Sequence, residues 1–200
     1  MPDESRRKNI FKHLYEFVIN YGILYGEVYA TSPRIEGVAV WLDSERSGMT
    51  LWKIIRAGGL PLYIRTGKKF ISQVLFFARH SASIRSAFAP SRHWYLFYLA
   101  VDPGFRGRGH ATELLKPMLS RIDGEGSHGY LETYTEKNVD MYKRYGFKVI
   151  GQGRIPTAGV DIWSMLRPRL GPEPLLKPLP APLTSFGCRA GTSFGSGAGA

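Results

Sequence analysis

A mixed α/β fold is what this sequence predicts, on three observations. Strand-like and helix-like segments alternate along most of the 200 residues. The stretch from His93 to Leu115 reads as a strand, a glycine-rich basic turn and a helix start. A second strand, a short helix and a closing pair of strands follow.

Residues Arg6 to Val18 place Ile10, Phe11, Leu14, Phe17 and Val18 at helical spacing, giving an amphipathic first helix. Tyr25 to Thr31 and Gly37 to Leu42 read as strands around the turn Ser32-Pro33-Arg34. Met49 to Ala57 and Lys69 to Phe88 read as two helices. In the second, Phe70, Ile71, Val74, Leu75, Phe77 and Ala78 form a broad apolar face suited to core packing. Trp94 to Val101 is an aromatic and aliphatic strand run closed by Asp102, Pro103 and Gly104. Ala111 to Ile122 continues as a helix with a kink expected at Pro117, because an internal proline removes a helix hydrogen bond. Gly129 to Thr135 is a strand, and Asn138 can cap a helix from Val139 to Tyr145 that Gly146 stops. Phe147 to Gly151 and Val160 to Leu166 close the fold, joined by Gln152 to Gly159.

The chemistry concentrates in Arg106-Gly107-Arg108-Gly109-His110-Ala111. Glycines just before a helix let a ligand approach the backbone and leave free N–H groups aimed at it. The helix dipole and two arginines then favour an anion, most simply a phosphate or pyrophosphate. A P-loop would need Lys-Ser or Lys-Thr after its last glycine, where this chain has His110-Ala111. A purely structural turn is the competing reading.

These residues resemble the GCN5-related N-acetyltransferases, whose Arg/Gln-x-x-Gly-x-Gly/Ala turn holds the pyrophosphate of acetyl-CoA. The resemblance extends to Leu99-Ala100-Val101-Asp102-Pro103 before the turn. It resumes in Tyr130-Leu131-Glu132-Thr133, Asn138, and Tyr142-Lys143-Arg144-Tyr145-Gly146-Phe147. It implies an acyl-CoA N-acyltransferase fold: a mixed, mostly antiparallel sheet flanked by helices, with two central parallel strands splayed apart. Those strands would be His93 to Val101 and Gly129 to Thr135. Main-chain groups of Leu99, Ala100 and Val101 would bind the pantetheine arm in the slot, and Arg106 to Ala111 the pyrophosphate. Asn138 would contact the cofactor, cap its helix, or both. His110 would contribute its backbone N–H rather than its ring.

Amide formation at a thioester needs a neutral amine and a proton for the departing thiolate. The resemblance makes Tyr142 the candidate acid and a cofactor ligand; packing alone is the competing reading. For the base, alternation puts His93, Tyr95 and Phe97 on one strand face without a carboxylate. His93, with an ordinary pKa near neutrality, therefore competes with Glu132 on the neighbouring strand. The expected activity is acetyl-CoA-dependent N-acetylation of a primary amine by direct attack in a ternary complex, without a metal. A non-catalytic acyl-CoA-binding or regulatory module is the alternative.

Composition bounds the rest. Hydrophobic residues make up 44% of the chain, enough for one sizeable core. No apolar run reaches the length of a membrane span, and the N-terminus MPDESRRKN lacks the apolar core of a signal peptide. A cytoplasmic protein without membrane contact is the plain expectation. The single cysteine, Cys188, excludes an internal disulfide. The net charge of +11 invites a nucleic-acid partner, but the basic residues read as scattered among acidic ones rather than as a patch, which disfavours it. A small-molecule or peptide amine is the expected partner, and a homodimer is compatible with the sequence. Residues 1–170 form the expected domain. Residues 171–200, rich in proline and glycine, form an expected disordered tail.

Overall fold

The computed structural model describes residues 4–46, 48–90, 92–155 and 159–170. The expected tail with Cys188, and part of the expected Gln152 to Gly159 connection, lie outside them. The described elements are helix α1 (Glu4–Tyr25), strands β1 (Glu27–Ala30) and β2 (Gly37–Asp43), and helices α2 (Leu51–Ile54) and α3 (Leu60–Phe88). Strand β3 (His93–Val101), helix α4 (His110–Gly124), strand β4 (His128–Thr133), helix α5 (Glu136–Lys143) and strands β5 (Lys148–Ile155) and β6 (Val160–Arg167) follow.

The six strands form one sheet in the order β1-β2-β3-β4-β6-β5. Only β3 and β4 run parallel; the other four pairs are antiparallel. Helices cover both faces. On one face Trp41, Leu96 and Leu131 of the sheet pack with Leu115 and Met118 of α4 and with Phe147. The opposite face buries Val18, Tyr21, Val40, Leu42, Tyr95 and Tyr130, where α1 and α3 pack. The mixed, mostly antiparallel sheet and its central parallel pair are those expected.

Several boundaries differ, each for a local reason. Helix α1 runs to Tyr25 rather than Val18, because Phe17, Tyr21 and Tyr25 continue its apolar stripe at four-residue spacing. Their rings lie 6.0 and 5.0 Å apart in succession. Gly26 then separates helix from strand: a Cβ there would lie 2.3 Å from the Trp41 carbonyl oxygen. The expected gap between Ala57 and Lys69 is largely helical. Pro61 sits in the first turn of α3, where its missing N–H costs nothing. Breaks occur only at Gly58 (φ 99°) and Gly67 (φ 80°).

Helix α4 is continuous through Pro117 and buries Leu114, Leu115, Met118, Leu119 and Ile122. The cap of α5 is Thr135, not Asn138. The Thr135 hydroxyl accepts from the Asn138 N–H at 3.3 Å, so Asn138 lies inside the first turn. Strand β5 reaches Ile155 despite Gly151 and Gly153, because both pair across to β6 and the irregularity is absorbed between Val149 and Gly151.

Candidate functional site

The site begins where two strands part. Parallel pairing of β3 with β4 runs from His93 opposite His128 to Leu96 opposite Leu131. Beyond Leu96, β3 pairs only with β2, with Ala39 opposite Leu99, Val38 opposite Ala100 and Gly37 opposite Val101. Beyond Leu131, β4 pairs only with β6. The edge of β3 from Phe97 to Val101 therefore faces a slot with no strand partner among the described residues.

A bulge sits at the parting. Trp41 lies opposite Leu96 and Val40 opposite Tyr98, so Phe97 is the extra residue. Its effect is visible in packing. Tyr95, Phe97 and Tyr98 all turn toward α1 and α3, whereas Leu96 and Leu99 pack on the α4 side. The bulge thus falls where the β3–β4 pairing ends and the slot opens.

The basic turn lies between the far end of β3 and α4. Gly107 (φ 79°) and Gly109 (φ 91°) adopt left-handed backbone, and Gly109 is the residue from which α4 starts. Apart from its chain neighbours, a Cβ on either would meet nothing within 4 Å; the backbone angle, not crowding by the protein, calls for glycine. The N–H groups of His110 and Ala111, at the first turn, have no intrahelical acceptor. Arg106 Nε donates to the Val101 carbonyl at 3.4 Å. The Arg108 guanidinium lies 5.2 Å from the Phe105 ring centroid. Among the described residues neither arginine is paired with a carboxylate, so their charge is available to an anion. The His110 ring is 3.0 Å from Glu113 and edge-on to Phe105.

Glu132 is the first residue of β4 beyond the paired segment. Tyr130 donates its hydroxyl hydrogen to Glu132 Oε1 at 2.9 Å, and Tyr95 donates to Oε2 at 3.4 Å. Burial raises the Glu132 carboxyl above its ordinary range, opposed by neighbouring hydroxyls and by the Arg85 charge. Arg85, from α3, lies over the Tyr95 ring at 4.5 Å. This carboxylate is desolvated, oriented by two phenols and set at the mouth of the slot.

His93 lies at the other, paired end of β3, four residues before Phe97 and so about 13 Å from the parting along the strand. Its Nδ1 bonds the Pro90 carbonyl at 2.7 Å, its ring packs on Tyr130, and burial lowers its pKa. The cavity it lines, about 530 Å³, is shared with Arg46, Lys53 and Arg121, not with the basic turn.

Tyr142 is buried on α5, edge-on to Phe147 at 6.0 Å between ring centroids. Its hydroxyl has no hydrogen-bond partner among the described residues, and burial raises its pKa above the ordinary tyrosine value. Tyr145 is different: its hydroxyl is 2.7 Å from the Thr112 hydroxyl, tying α5 to α4. Asn138 is exposed. Strand alternation puts Tyr130 and Glu132 on one face, a signal present in the sequence but not used above. Tyr95 and Arg85 reach Glu132 only through the fold, and no local signal announces them.

Among the described residues no group of three or more His, Cys, Asp or Glu could hold a metal ion. None of their helices is long and apolar enough to cross a membrane.

Residues 27–147 match the acetyltransferase (GNAT) family, and the chain belongs to that family. Its fold is similar to that of a solved protein from Corynebacterium glutamicum described as histone acetyltransferase HPA2 and related acetyltransferase. The TM-score is 0.55 at 20% identity, over 86% of this chain and 81% of that one. A curated relative in Dictyostelium discoideum, named as a serine/threonine-protein kinase, is 19% identical over 177 residues, 74% of this chain. This chain spans only 24% of that relative's length. A ribosomal-protein-S18-alanine N-acetyltransferase from Escherichia coli is 22% identical, over 42% of this chain and 60% of that one, with a TM-score of 0.36.

Proposed function

We propose that the chain is an acetyl-CoA-dependent N-acetyltransferase that passes the acetyl group directly to a primary amine in a ternary complex. One juxtaposition carries this reading. Strand pairing ends at Leu96 and Leu131, the next residue on β4 is the desolvated Glu132, and the same β3 leads into the glycine-arginine turn.

The turn fits a pyrophosphate. Its two left-handed glycines leave open space beside a helix start, and Arg106 and Arg108 add charge that no carboxylate among the described residues neutralises. The unpaired edge of Leu99, Ala100 and Val101 offers main-chain groups to the pantetheine amides, as an added strand would. Asn138 borders this cofactor site.

Glu132 is the favoured base. Its burial raises proton affinity toward the working range, and Tyr95 and Tyr130 hold its oxygens. It takes the proton from the incoming ammonium or amine, directly or through one water. His93 is the weaker choice, because it lies at the paired end of β3, remote from the slot. Tyr142, with a raised pKa and a hydroxyl unpartnered among the described residues, remains protonated at neutral pH and can give its hydrogen to the departing thiolate. Residues 1–170 carry this chemistry.

The test is acetyl-CoA turnover, read as free thiol, over a panel of small amines, polyamines, amino sugars and peptide N-termini. Tight acetyl-CoA binding without turnover on any amine would favour the non-catalytic acyl-CoA-binding alternative.

A further inference from the structure

The charge of this chain is not spread as its overall composition implies. From Arg46 to Val101 there is no Asp or Glu, while nine residues are Lys or Arg: Arg46, Lys53, Arg56, Arg65, Lys68, Lys69, Arg79, Arg85 and Arg92. This stretch carries a formal +9 of the chain's +11. The expected interspersing of acids fails here, and the stretch is the one that folds into α2 and α3.

The same elements expose large apolar side chains. Leu51, Trp52 and Ile64 are 74%, 69% and 72% exposed, and Ile55, Leu60 and Tyr63 are also exposed. Their spacing is orderly. Leu51 and Ile55 are four apart, and Leu60, Tyr63 and Ile64 share the helix face opposite buried Leu62. Isolated exposed apolar residues need no explanation, but six of them within residues 51–64, Trp52 and Tyr63 among them, do. Arg56, Lys68 and Lys69, close to these side chains in sequence, are exposed too. The positive φ at Gly58 and Gly67 breaks the helix on either side of Leu60, Tyr63 and Ile64, so this short segment is set apart from the rest of α3.

We propose that the α2–α3 segment, residues 51–69, is a peripheral docking surface for an anionic lipid bilayer. Charge complementarity chooses the partner: an acid-free cationic segment is drawn to acidic headgroups, and the side chains beside the cations are those that seat in the boundary between headgroups and acyl chains. A nucleic acid would use the cations but leave Leu51, Ile55 and Ile64 in water. The expectation of no membrane contact rested on the lack of a spanning run, which a protein lying on the surface does not need. The inference is independent of the acetyl-transfer reading, since none of these residues belongs to the slot or the basic turn.

The experiment is co-sedimentation of the full chain with phosphatidylcholine vesicles, alone or with about a third phosphatidylglycerol, beside a shift assay with plain duplex DNA. Binding to the anionic vesicles, weakened at least about tenfold in neutral ones and by added salt, is expected. Trp52→Ala/Ile64→Ala and, separately, Lys68→Glu/Lys69→Glu should each weaken it at least about tenfold. Far-UV circular dichroism and melting temperature should stay at the parent's values, because all four side chains are exposed. No sedimentation with anionic vesicles, or equal sedimentation with neutral ones, overturns the proposal. So does DNA binding that tolerates Trp52→Ala/Ile64→Ala while vesicle binding is absent. Should either pair unfold the chain, quenching of tryptophan fluorescence by brominated lipid, compared with a Trp52→Phe chain, decides: no difference between the two overturns the proposal.

Discussion

The Tyr130 hydroxyl donates to Glu132 at 2.9 Å from two residues back on the same strand, and lies 3.2 Å from the Ser164 hydroxyl on β6. Alternation along β4 puts both side chains on the α1–α3 face, and β6 supplies the support. Glu132 thus has one oxygen held from its own strand and the other held by Tyr95 from β3. The two strands that part at Leu96 and Leu131 are bridged, just past the parting, by a carboxylate.

Glu132→Gln should lower the rate of acetyl transfer by about 10²–10⁴-fold, the usual range for loss of a positioned base, with acetyl-CoA affinity nearly unchanged. The parent's rate should fall as pH drops through a pKa above the ordinary glutamate value, and this acid limb should vanish in the variant. Stability carries the opposite sign. A carboxyl whose folded pKa is raised by burial favours the fold below its unfolded pKa, and that contribution is lost as pH rises through the folded one. Glu132→Gln should therefore melt higher than the parent at pH 7, with the difference closing below about pH 4.5. A pH–rate profile identical in both chains would remove Glu132 from the proton path.

At the basic turn, Gly109→Val should abolish acetyl-CoA binding, because the φ of 91° suits glycine alone and a branched side chain would fill the open space beside the helix start. Arg108→Ala should weaken binding by about 1–3 kcal/mol, the range for charge-assisted hydrogen bonds. Its only described contact is with the exposed Phe105 ring, so melting temperature should hardly move. Calorimetry giving the parent's affinity for both variants would leave the turn without a ligand role.

The first turn of α5 separates two residue roles. Thr135→Ala removes the hydroxyl that accepts from the Asn138 N–H and should cost about 0.5–2 kcal/mol of stability. Asn138→Ala should cost much less, since its exposed side chain caps nothing. If Asn138 borders the bound cofactor, the same variant should weaken acetyl-CoA binding at unchanged melting temperature. Chemical denaturation of both chains, with calorimetry on the second, tests the pair.

What was legible in sequence was whatever a short pattern decides. Trp94 to Val101, the glycines at 107 and 109, and Leu114, Leu115 and Met118 of α4 each declare strand, turn or helix locally. Both helices expected around it were legible, but the helical stretch between them, residues 58–68, was not, because it holds Pro61 and Gly67, residues that can each end a helix; only packing shows that a proline in a first turn and a single left-handed glycine leave helices on both sides. Nor was the bulge at Phe97. It arises from how β2 and β3 register, and it has no signature within β3. The site divides the same way. Tyr130 and Glu132 share a face by alternation, whereas Arg85 comes from a helix 47 positions earlier and meets them only after the chain has folded.

Tyr142 offers the sharpest test of the acid role. Among the described residues its hydroxyl has no partner, although the ring is buried against Phe147. Leaving a polar group partly desolvated and unpaired costs stability, so a residue selected for packing alone would do better as phenylalanine. Tyr142→Phe should accordingly keep or slightly raise the melting temperature and leave acetyl-CoA affinity nearly constant. The single-turnover rate of acetyl transfer should fall by about 10²–10⁴-fold, as for other positioned proton donors. Steady-state turnover could fall less if product release is slow, which is why the single-turnover rate is the quantity to measure. An undiminished single-turnover rate, with a higher melting temperature, would assign Tyr142 to packing and leave thiolate protonation to solvent.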